Sequence, residues 1–210
     1  MKILITSGAT REPIDAVRFL SNVSTGTTGA ALAEQFAQHG HDVSLLRGAG
    51  AVVPTSPIDV EAFSSAEDLR ARLQHRLGAA KFDLVIMAAA VADYRPVTAD
   101  PGKRSSEPAE ITLQLVRNPK ILPQLKSFSP HPLGVVGFKL TVGADETAGR
   151  TSVAQQLASG GVDAVVHNDL AEMRTARVHP FNLYTPGATQ PERLAGVPAL
   201  VAALLRLFDR

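Results

Sequence analysis

The chain has 210 residues, of which 45% are hydrophobic and 20% are charged, so it can bury one sizeable core and lacks the composition of a disordered protein. Its 21 lysines and arginines nearly balance 20 acidic residues, and the net charge of +1 gives no electrostatic basis for nucleic acid or an anionic membrane as the main partner. The absence of cysteine excludes a disulfide framework, a thiolate metal site and a cysteine nucleophile.

The N-terminal apolar run does not predict a targeting or membrane segment. The run that begins at Ile3 ends within a few residues, too early for the core of a signal peptide. No other stretch approaches the ~20 apolar residues that span a bilayer. We therefore expect a cytoplasmic protein without a membrane partner.

Strand and helix patterns alternate along the chain. Short apolar runs predict buried strands over residues 2–8, 42–46, 58–63, 83–90, 133–140 and 162–167. Apolar residues spaced by about one turn predict helices over 28–39, 65–77, 145–158 and 191–208. This alternation is typical of an α/β fold, and we expect a single domain over 1–210 with a Rossmann-like, mostly parallel sheet and helices on both faces.

One segment interrupts this alternation. Residues 95–110 are rich in proline, glycine, serine and charge, and residues 110–116 then alternate between polar and apolar side chains. Such alternation is typical of an exposed antiparallel strand and not of the buried centre of a parallel sheet. We predict an antiparallel flap over about 95–116, which is either a plain surface hairpin or a flap that reaches over a ligand site or a second subunit.

An unusually long polar loop joins the first strand to the first helix. It begins at Gly8 and carries Gly26 and Gly29 at the start of the predicted helix. A strand that leads to a glycine-containing helix N-terminus is where α/β proteins commonly bind phosphate, because free N–H groups and the helix dipole meet there. A dinucleotide fingerprint would put its glycines in the turn itself, whereas here an insert separates them, so plain NAD binding is not favoured.

Two further polar segments follow predicted strands, at 91–96 and 167–169. In open parallel sheets, ligands bind beyond the carboxyl ends of the strands, so these segments and the first loop are candidate parts of one site. Before the first of them, Ala88, Ala89 and Ala90 would let a flat ligand lie against the backbone, or would allow tight packing of a helix on the sheet.

Standard catalytic signatures are missing from the chain. It has no G-x-S-x-G elbow, no Walker A loop and no H-E-x-x-H, and its six histidines are not spaced as metal ligands, so no metal ligand is assigned. Scattered basic residues could converge on an anionic substrate or remain on a solvated surface: Arg11, Arg18, Arg95, Lys103, Arg104, Arg117 and Lys120.

Taken together, several motifs resemble the phosphopantothenoylcysteine synthetase (phosphopantothenate–cysteine ligase) family. The most specific are T-R-E-P-I-D with R-F-L-S-N in the first loop and A-A-V-A-D-Y after the alanine-rich strand. The matching stretches occur in the family's order, at 8–15, 17–22, 24–26 with Gly29, 88–94, 103–106, 118–121, 136–140 and 168–169. They cover nearly the whole chain, and K-x-S-S at Lys103 resembles the stand-alone form of the family.

The resemblance implies a two-step ligation. The carboxylate of 4′-phosphopantothenate attacks the α-phosphorus of CTP or ATP, and the amine of cysteine then attacks the resulting acyl-nucleotidylate. It further implies Mg²⁺ that bridges the phosphates, no flavin in this chain, and a separate decarboxylase as partner. It also implies a homodimer in which the flap of one subunit closes over the other's site, with Lys103 near or across the interface. CTP and ATP stay open as alternatives.

The resemblance assigns roles to individual residues. Asn22 would hold the acyl-nucleotidylate with Arg18 beside it, and Lys103 on the flap would neutralise phosphate charge in the first step. Ser24, Gly26 and Gly29 would form the triphosphate cradle. The rest of the nucleotide pocket would be lined by Met87, Ala88, Ala89, Asp93, Pro119, Lys120, Ile121, Leu122 and Phe138.

Two stretches depart from the family pattern. Family members often carry lysines before the strand that here begins at Val162, whereas residues 155–161 of this chain have no positive charge, and Arg150 or Lys139 would have to compensate. The stretch 141–147 differs as well. The missing lysines motivate one alternative, a non-catalytic nucleotide-binding paralogue. A second alternative, an NAD(P)-dependent reductase, is weakened because no lysine follows Tyr94 in a Tyr-x-x-x-Lys pair.

Overall fold

One eight-stranded mixed sheet forms the centre of the computed structural model, which describes residues 1–159, 161–188 and 190–209. In chain order the strands are β1 (Lys2–Ser7), β2 (Arg11–Pro13), β3 (Phe19–Ser21), β4 (Asp42–Gly48), β5 (Asp59–Phe63), β6 (Leu84–Met87), β7 (Tyr94–Pro96), β8 (Leu115–Arg117), β9 (Gly134–Thr141), β10 (Ala164–Asp169), β11 (Pro180–Tyr184) and β12 (Glu192–Ala195). The helices are α1 (Thr27–Gln38), α2 (Ala66–Ala79), α3 (Leu125–Phe128), α4 (Glu146–Ala158), α5 (Leu170–Thr175) and α6 (Gly196–Phe208), and a 3₁₀ turn (Leu122–Gln124) precedes α3.

The large sheet has the spatial order β12-β11-β10-β9-β6-β1-β4-β5, and β2–β3 and β7–β8 form small separate hairpins. The strands from β5 to β10 pair in parallel, and β11 and β12 extend the sheet with antiparallel pairing. The parallel part has the strand order of doubly wound dinucleotide-binding folds, in which the direction of winding reverses between β1 and β6. The predicted α/β fold with a mostly parallel sheet and additional antiparallel hairpins is confirmed.

The two faces of the sheet bury separate sets of apolar side chains. On β1, Ile3 and Ile5 face a core shared with α1 and α6, whereas Leu4 faces a core shared with α2, α3 and α4. All three side chains are fully buried, which explains why this strand is a continuous apolar run. Within the described ranges, no helix combines the length and the apolar character needed to cross a bilayer.

The last helix is shorter than the prediction of 191–208. It begins at Gly196, and the four residues before it form β12, which pairs with β11. Gly196 has a φ of 79°, a left-handed conformation that glycine adopts readily and that turns the chain from strand to helix. The apolar periodicity of the predicted helix includes Leu194, but the side chain of Leu194 packs against the core from strand β12.

Two predicted strands also end elsewhere. The strand predicted over 83–90 stops at Met87, because Ala90 bonds instead to the loop after β1. The strand predicted over 110–116 is shorter, since β8 begins only at Leu115 and its partner β7 has three residues. The flap is therefore a loop of residues 97–114 carried on the β7–β8 hairpin.

Candidate functional site

The strand order of the sheet reverses between β1 and β6. The alanine-rich segment that follows β6 lies at this point and is hydrogen-bonded to the loop after β1. The N–H of Ala90 donates to the carbonyl oxygen of Gly8 at 2.8 Å. Two threonine hydroxyls hold the same segment: Thr6 Oγ1 accepts from the N–H of Ala89 at 3.0 Å, and Thr10 Oγ1 accepts from the N–H of Ala92 at 2.9 Å. Both threonines are fully buried, so the segment has a defined position at the carboxyl edge of the sheet.

A cleft of about 370 Å³ opens beside this segment. It gathers residues from three parts of the chain that are far apart in sequence: the end of β6 with the loop after it, the turn before α3, and the end of β9 with α4. Of the residues predicted for the nucleotide pocket, the cleft brings together Met87, Ala89, Asp93, Pro119, Lys120, Ile121, Leu122 and Phe138. Ala88 lies in the same segment, but its side chain does not line this cleft.

The cleft exists because β9 is longer than β6. Met87, the last residue of β6, pairs with Gly137, whereas β9 continues to Thr141. Phe138 and Lys139 therefore lie past the end of the neighbouring strand and border the cleft. The opposite wall is α4, which contributes only neutral polar side chains, namely Ser152, Gln155, Gln156 and the adjacent Ser159.

Asn118 is a residue of the cleft that sequence reasoning did not assign. Its buried side chain donates from Nδ2 to the carbonyl oxygen of Ala92 at 2.9 Å, and its Oδ1 accepts from Arg95 at 3.0 Å. Its N–H donates to the carbonyl oxygen of Asp93 at 2.8 Å. Asn118 thus ties the lining segment to the base of the flap. The signal for it was its place in N-P-K-I, directly after an exposed strand.

Asn22 stands at the rim of the cleft. Its exposed side chain donates from Nδ2 to the carbonyl oxygen of Val91, a lining residue, at 3.2 Å. Ser24, Gly26 and Gly29 do not line the cleft and lie at the N-terminus of α1 instead. Gly26, the N-cap of α1, has a φ of 77° and provides no side-chain cap for the first N–H groups of the helix. The predicted cradle and the cleft are thus neighbouring regions of one sheet edge, linked through Gly8.

Arg18 holds the flap and does not line the cleft. Its Nε lies 2.8 Å from Oδ2 of Asp15, and its Nη2 donates to the carbonyl oxygen of Arg104. Asp15 is buried and accepts from the N–H groups of Val17, Arg18 and Arg104. Burial by itself would raise the pKa of Asp15, but these hydrogen bonds and the Arg18 charge outweigh it and lower the pKa. Lys103, next to Arg104, is exposed.

Two further residues of the first loop, Glu12 and Arg11, make structural contacts. Glu12 is buried and accepts from the N–H of Ala66 at 2.9 Å, where a carboxylate meets the positive end of the α2 dipole. The guanidinium of Arg11 lies over the ring of Phe19, 4.6 Å from its centroid. Within the long motif, Asp15 and Arg18 bond to the flap, and its last residue, Asn22, bonds to a residue that lines the cleft.

The third polar segment, at the end of β10, forms a network of its own. Asp169 accepts from Thr141 Oγ1 at 2.7 Å, from the N–H groups of Gly143 and Ala144, and from the first turn of α5. The Thr141 hydroxyl is the largest of several hydrogen bonds that place the pKa of Asp169 far below its ordinary value. Burial lowers the pKa of the neighbouring His167. None of these three side chains lines the cleft described above.

Asp169 should make stability depend on pH in the acid range. Because its pKa lies below the ordinary 3.8, its contribution to the free energy of unfolding is complete above that value and is lost as the pH falls below it. For Asp169→Asn we expect a lower midpoint of thermal unfolding at neutral pH and a difference from wild type that shrinks below about pH 4. Circular dichroism would measure both, with Asp42→Asn, at an exposed carboxylate, as control. A difference that does not change with pH would contradict the assignment.

Among the described residues, no group of three histidine, cysteine or acidic side chains could hold a metal ion. The carboxylate in the cleft, Asp93, already pairs with Lys120.

Comparison with known proteins identifies the family. Residues 1–184 match the model of the DNA/pantothenate metabolism flavoprotein C-terminal domain. The chain belongs to this family. The resemblance to phosphopantothenoylcysteine synthetases that the motifs predicted is thereby confirmed at the level of the family.

Relatives of this DNA/pantothenate metabolism flavoprotein C-terminal domain agree in sequence and in fold. The coenzyme A biosynthesis bifunctional protein CoaBC of Thermococcus kodakarensis is 35% identical over 172 residues, which are 80% of this chain and 41% of that protein. The crystal structure of the DNA/pantothenate metabolism flavoprotein from Streptococcus pneumoniae has a TM-score of 0.88 and 27% identity, covering 100% of this chain and 98% of that one. The Cab2 mutant H337A in complex with phosphopantothenate-cysteine has a TM-score of 0.83 and 21% identity, covering 99% and 86%. The chain thus spans about two fifths of the length of the CoaBC relative and nearly all of the Streptococcus structure.

Proposed function

We propose that this chain joins 4′-phosphopantothenate to cysteine, using CTP or ATP, as the ligase of coenzyme A biosynthesis in the cytoplasm. The observation that carries the proposal is the cleft at the reversal of strand order. There, three motif-bearing segments of a pantothenate-metabolism family member meet around one cleft of about 370 Å³, at the place where α/β sheets of this strand order bind ligands. The name of the CoaBC relative agrees with a role in coenzyme A biosynthesis, and the Cab2 complex contains phosphopantothenate-cysteine, the type of product proposed here.

The proposed reaction demands charge neutralisation and alignment more than covalent catalysis. A carboxylate oxygen of 4′-phosphopantothenate attacks the α-phosphorus, and pyrophosphate leaves with the electrons of the broken P–O bond. The amine of cysteine then attacks the acyl carbon, loses a proton, and releases the nucleoside monophosphate. In this scheme the backbone from Ala89 to Asp93 lines the base and sugar, and Asn22 at the rim holds the acyl-nucleotidylate through its amide.

Magnesium enters this scheme with the nucleotide. Mg²⁺ would accompany the nucleotide as its counter-ion and would neutralise phosphate charge when bound. No flavin takes part in the proposed steps, and the product would pass to a separate decarboxylase.

One assay separates the proposal from its alternatives. The protein is mixed with Mg²⁺, 4′-phosphopantothenate, cysteine and either CTP or ATP, and pyrophosphate and the amide product are measured. The ligase releases both products and shows by its rates which nucleotide it uses. A non-catalytic paralogue would bind nucleotide without releasing pyrophosphate. A reductase would be inactive here and would instead oxidise NAD(P)H with a reducible substrate.

Lys103→Gln should impair the first step with little effect on stability. Lys103 is exposed on the flap, so losing its charge should change the free energy of unfolding by no more than about 0.5 kcal/mol. Pyrophosphate release should fall by roughly tenfold or more, because a cation near the phosphates is lost. Lys81→Gln, at an exposed lysine before β6, is the matched control. Unchanged pyrophosphate release, or a large drop in melting temperature, would contradict the role.

We also propose a twofold homodimer built on the flap. In the single chain, apolar side chains of the β2–β3 and β7–β8 hairpins remain exposed, among them Phe19 (47%), Tyr94 (42%) and Leu115 (43%). Two-stranded hairpins with apolar side chains favour pairing with another surface. Such a dimer would place Lys103 near or across the interface.

Light scattering at micromolar concentration should therefore give about twice the chain mass of 22.2 kDa. Leu115→Asp, on β8, should shift the protein to monomer, whereas Val60→Asp, on the edge strand β5, should not. A strict monomer with full ligase activity would return the flap to the alternative of a plain surface hairpin.

A further inference from the structure

The charges that line the cleft leave one cation available for a ligand. Lys120 and Asp93 form an ion pair, so their charges cancel. The wall formed by α4 is neutral, since it contributes serine and glutamine side chains. Among the charged residues that line the cleft, Lys139 has no ion-pair partner within the part of the chain that the structure describes. The net positive charge of the lining is therefore that of Lys139.

The position of Lys139 suits contact with an anion. It lies on β9 two residues past the end of β6, so its side chain borders the cleft instead of a neighbouring strand. It is partly buried, which makes its charge less screened than that of an exposed lysine. On its other side it is the register partner of His167 in β10, whose pKa is lowered by burial. A neutral imidazole there does not compete with Lys139 for an anion.

Arg150, the other cation that could have compensated for the neutral wall, is placed elsewhere. It pairs with Glu146 at 3.8 Å on the same helix and borders a different cavity, together with Thr147 and Tyr184. The geometry therefore distinguishes two residues that were equivalent in the sequence.

We propose that Lys139 is the phosphate-binding residue of the cleft, supplying the charge that α4 does not. This inference rests on the proposed function, because it takes the ligand to be a nucleoside triphosphate. It places the phosphates of that ligand beside Lys139. Gln156 is the position from which α4 could supply the charge instead. Its Nε2 lies 3.5 Å from the carbonyl oxygen of Phe138, and it covers Gly137 so closely that a Cβ there would come within 2.3 Å of it. A lysine side chain at position 156 would extend from α4 over Gly137 and Phe138 of β9, close to the position of Lys139.

The test measures binding by calorimetry, with the magnesium complexes of CTP, ATP and inorganic pyrophosphate as probes. Lys139→Met should weaken binding of the preferred nucleotide and of pyrophosphate by roughly tenfold to a hundredfold, the effect of losing one hydrogen bond to a charged group. Lys139→Arg should keep affinity within about threefold, because it keeps the charge. The double variant Lys139→Met/Gln156→Lys should recover most of the loss. Lys126→Met, at a lysine of α3 outside the cleft, is the matched control.

The outcomes separate this inference from the proposed function. If wild type binds neither triphosphate nor pyrophosphate, both are wrong. If wild type binds and Lys139→Met binds equally well, the inference alone is wrong. A purely structural role for Lys139 would lower the melting temperature, and Gln156→Lys would restore neither melting nor affinity, which would also overturn it. Lost affinity with unchanged melting, recovered by the double variant, supports it.

Discussion

Asn22→Asp should leave the protein folded and reduce formation of 4′-phosphopantothenoylcysteine by about a hundredfold or more, the scale of losing an aligned donor at a reacting centre. The side chain is exposed and makes one hydrogen bond, to the carbonyl oxygen of Val91 at 3.2 Å. The substitution should therefore lower the free energy of unfolding by about 1 kcal/mol at most. The effect on the reaction rate should be larger than the effect on stability. An amide can donate to and accept from the intermediate, whereas a carboxylate at the rim would repel both that carbonyl oxygen and the phosphate of the intermediate.

The measurement is amide product, detected by mass spectrometry, beside pyrophosphate release and a melting curve. Val23→Asp is the matched control, since it puts the same charge one residue away on a side chain that is fully exposed (101%). We expect that control to retain nearly normal turnover. Normal turnover by Asn22→Asp would refute the role of Asn22. An equal loss of turnover in both variants would also contradict it, because the loss would then come from added negative charge in the loop and not from Asn22 itself.

Gly29→Ala should destabilise the protein by about 3 kcal/mol, the scale of forcing an extra group into a packed core. Gly29 lies in the first turn of α1 where the helix packs directly on β1. A Cβ at this position would come within 2.4 Å of the Cβ of Ser7, and within 3.1 Å of the Cα of Ser7 and the carbonyl oxygen of Thr6. Those atoms belong to a central strand paired on both sides, so they cannot move without disturbing the sheet.

The control is the same substitution in another helix. Gly78 lies on the exposed side of α2, and a Cβ there would meet only the carbonyl oxygen of Phe128 at 3.7 Å, an ordinary contact. Gly78→Ala should therefore stabilise the protein by about 0.5–1 kcal/mol through helix propensity. Urea denaturation of the two variants should give changes of opposite sign. A neutral Gly29→Ala would show that the close approach of α1 to β1 is not required for stability.

The first loop shows which features of the site can be predicted from local sequence and which depend on tertiary contacts. The motif is recognisable in the sequence, but the contacts that Glu12, Asp15 and Arg18 make cannot be predicted from it. Each binds a group that is distant in sequence: the N-terminus of α2 for Glu12, and the flap at Arg104 for the other two. Hydrogen bonds of this kind depend on which loops the fold brings together, and no local pattern records them.

The sequence by itself determined the alternation of strands and helices, and hence the mostly parallel sheet, because buried strands and amphipathic helices each impose a local period on apolar residues. Of the three polar segments that it placed at the carboxyl edge of the sheet, only 91–96 lines the cleft, whereas 119–122 and Phe138 were implied by the resemblance to the family. The tertiary structure alone decided the turn at Gly196 that ends β12, the placement of Ser24 and Gly29 outside the cleft, and the position of Lys139, but not of Arg150, at the cleft. These follow from where neighbouring strands end and from which side chains have already found partners, and both are properties of packing between distant parts of the chain.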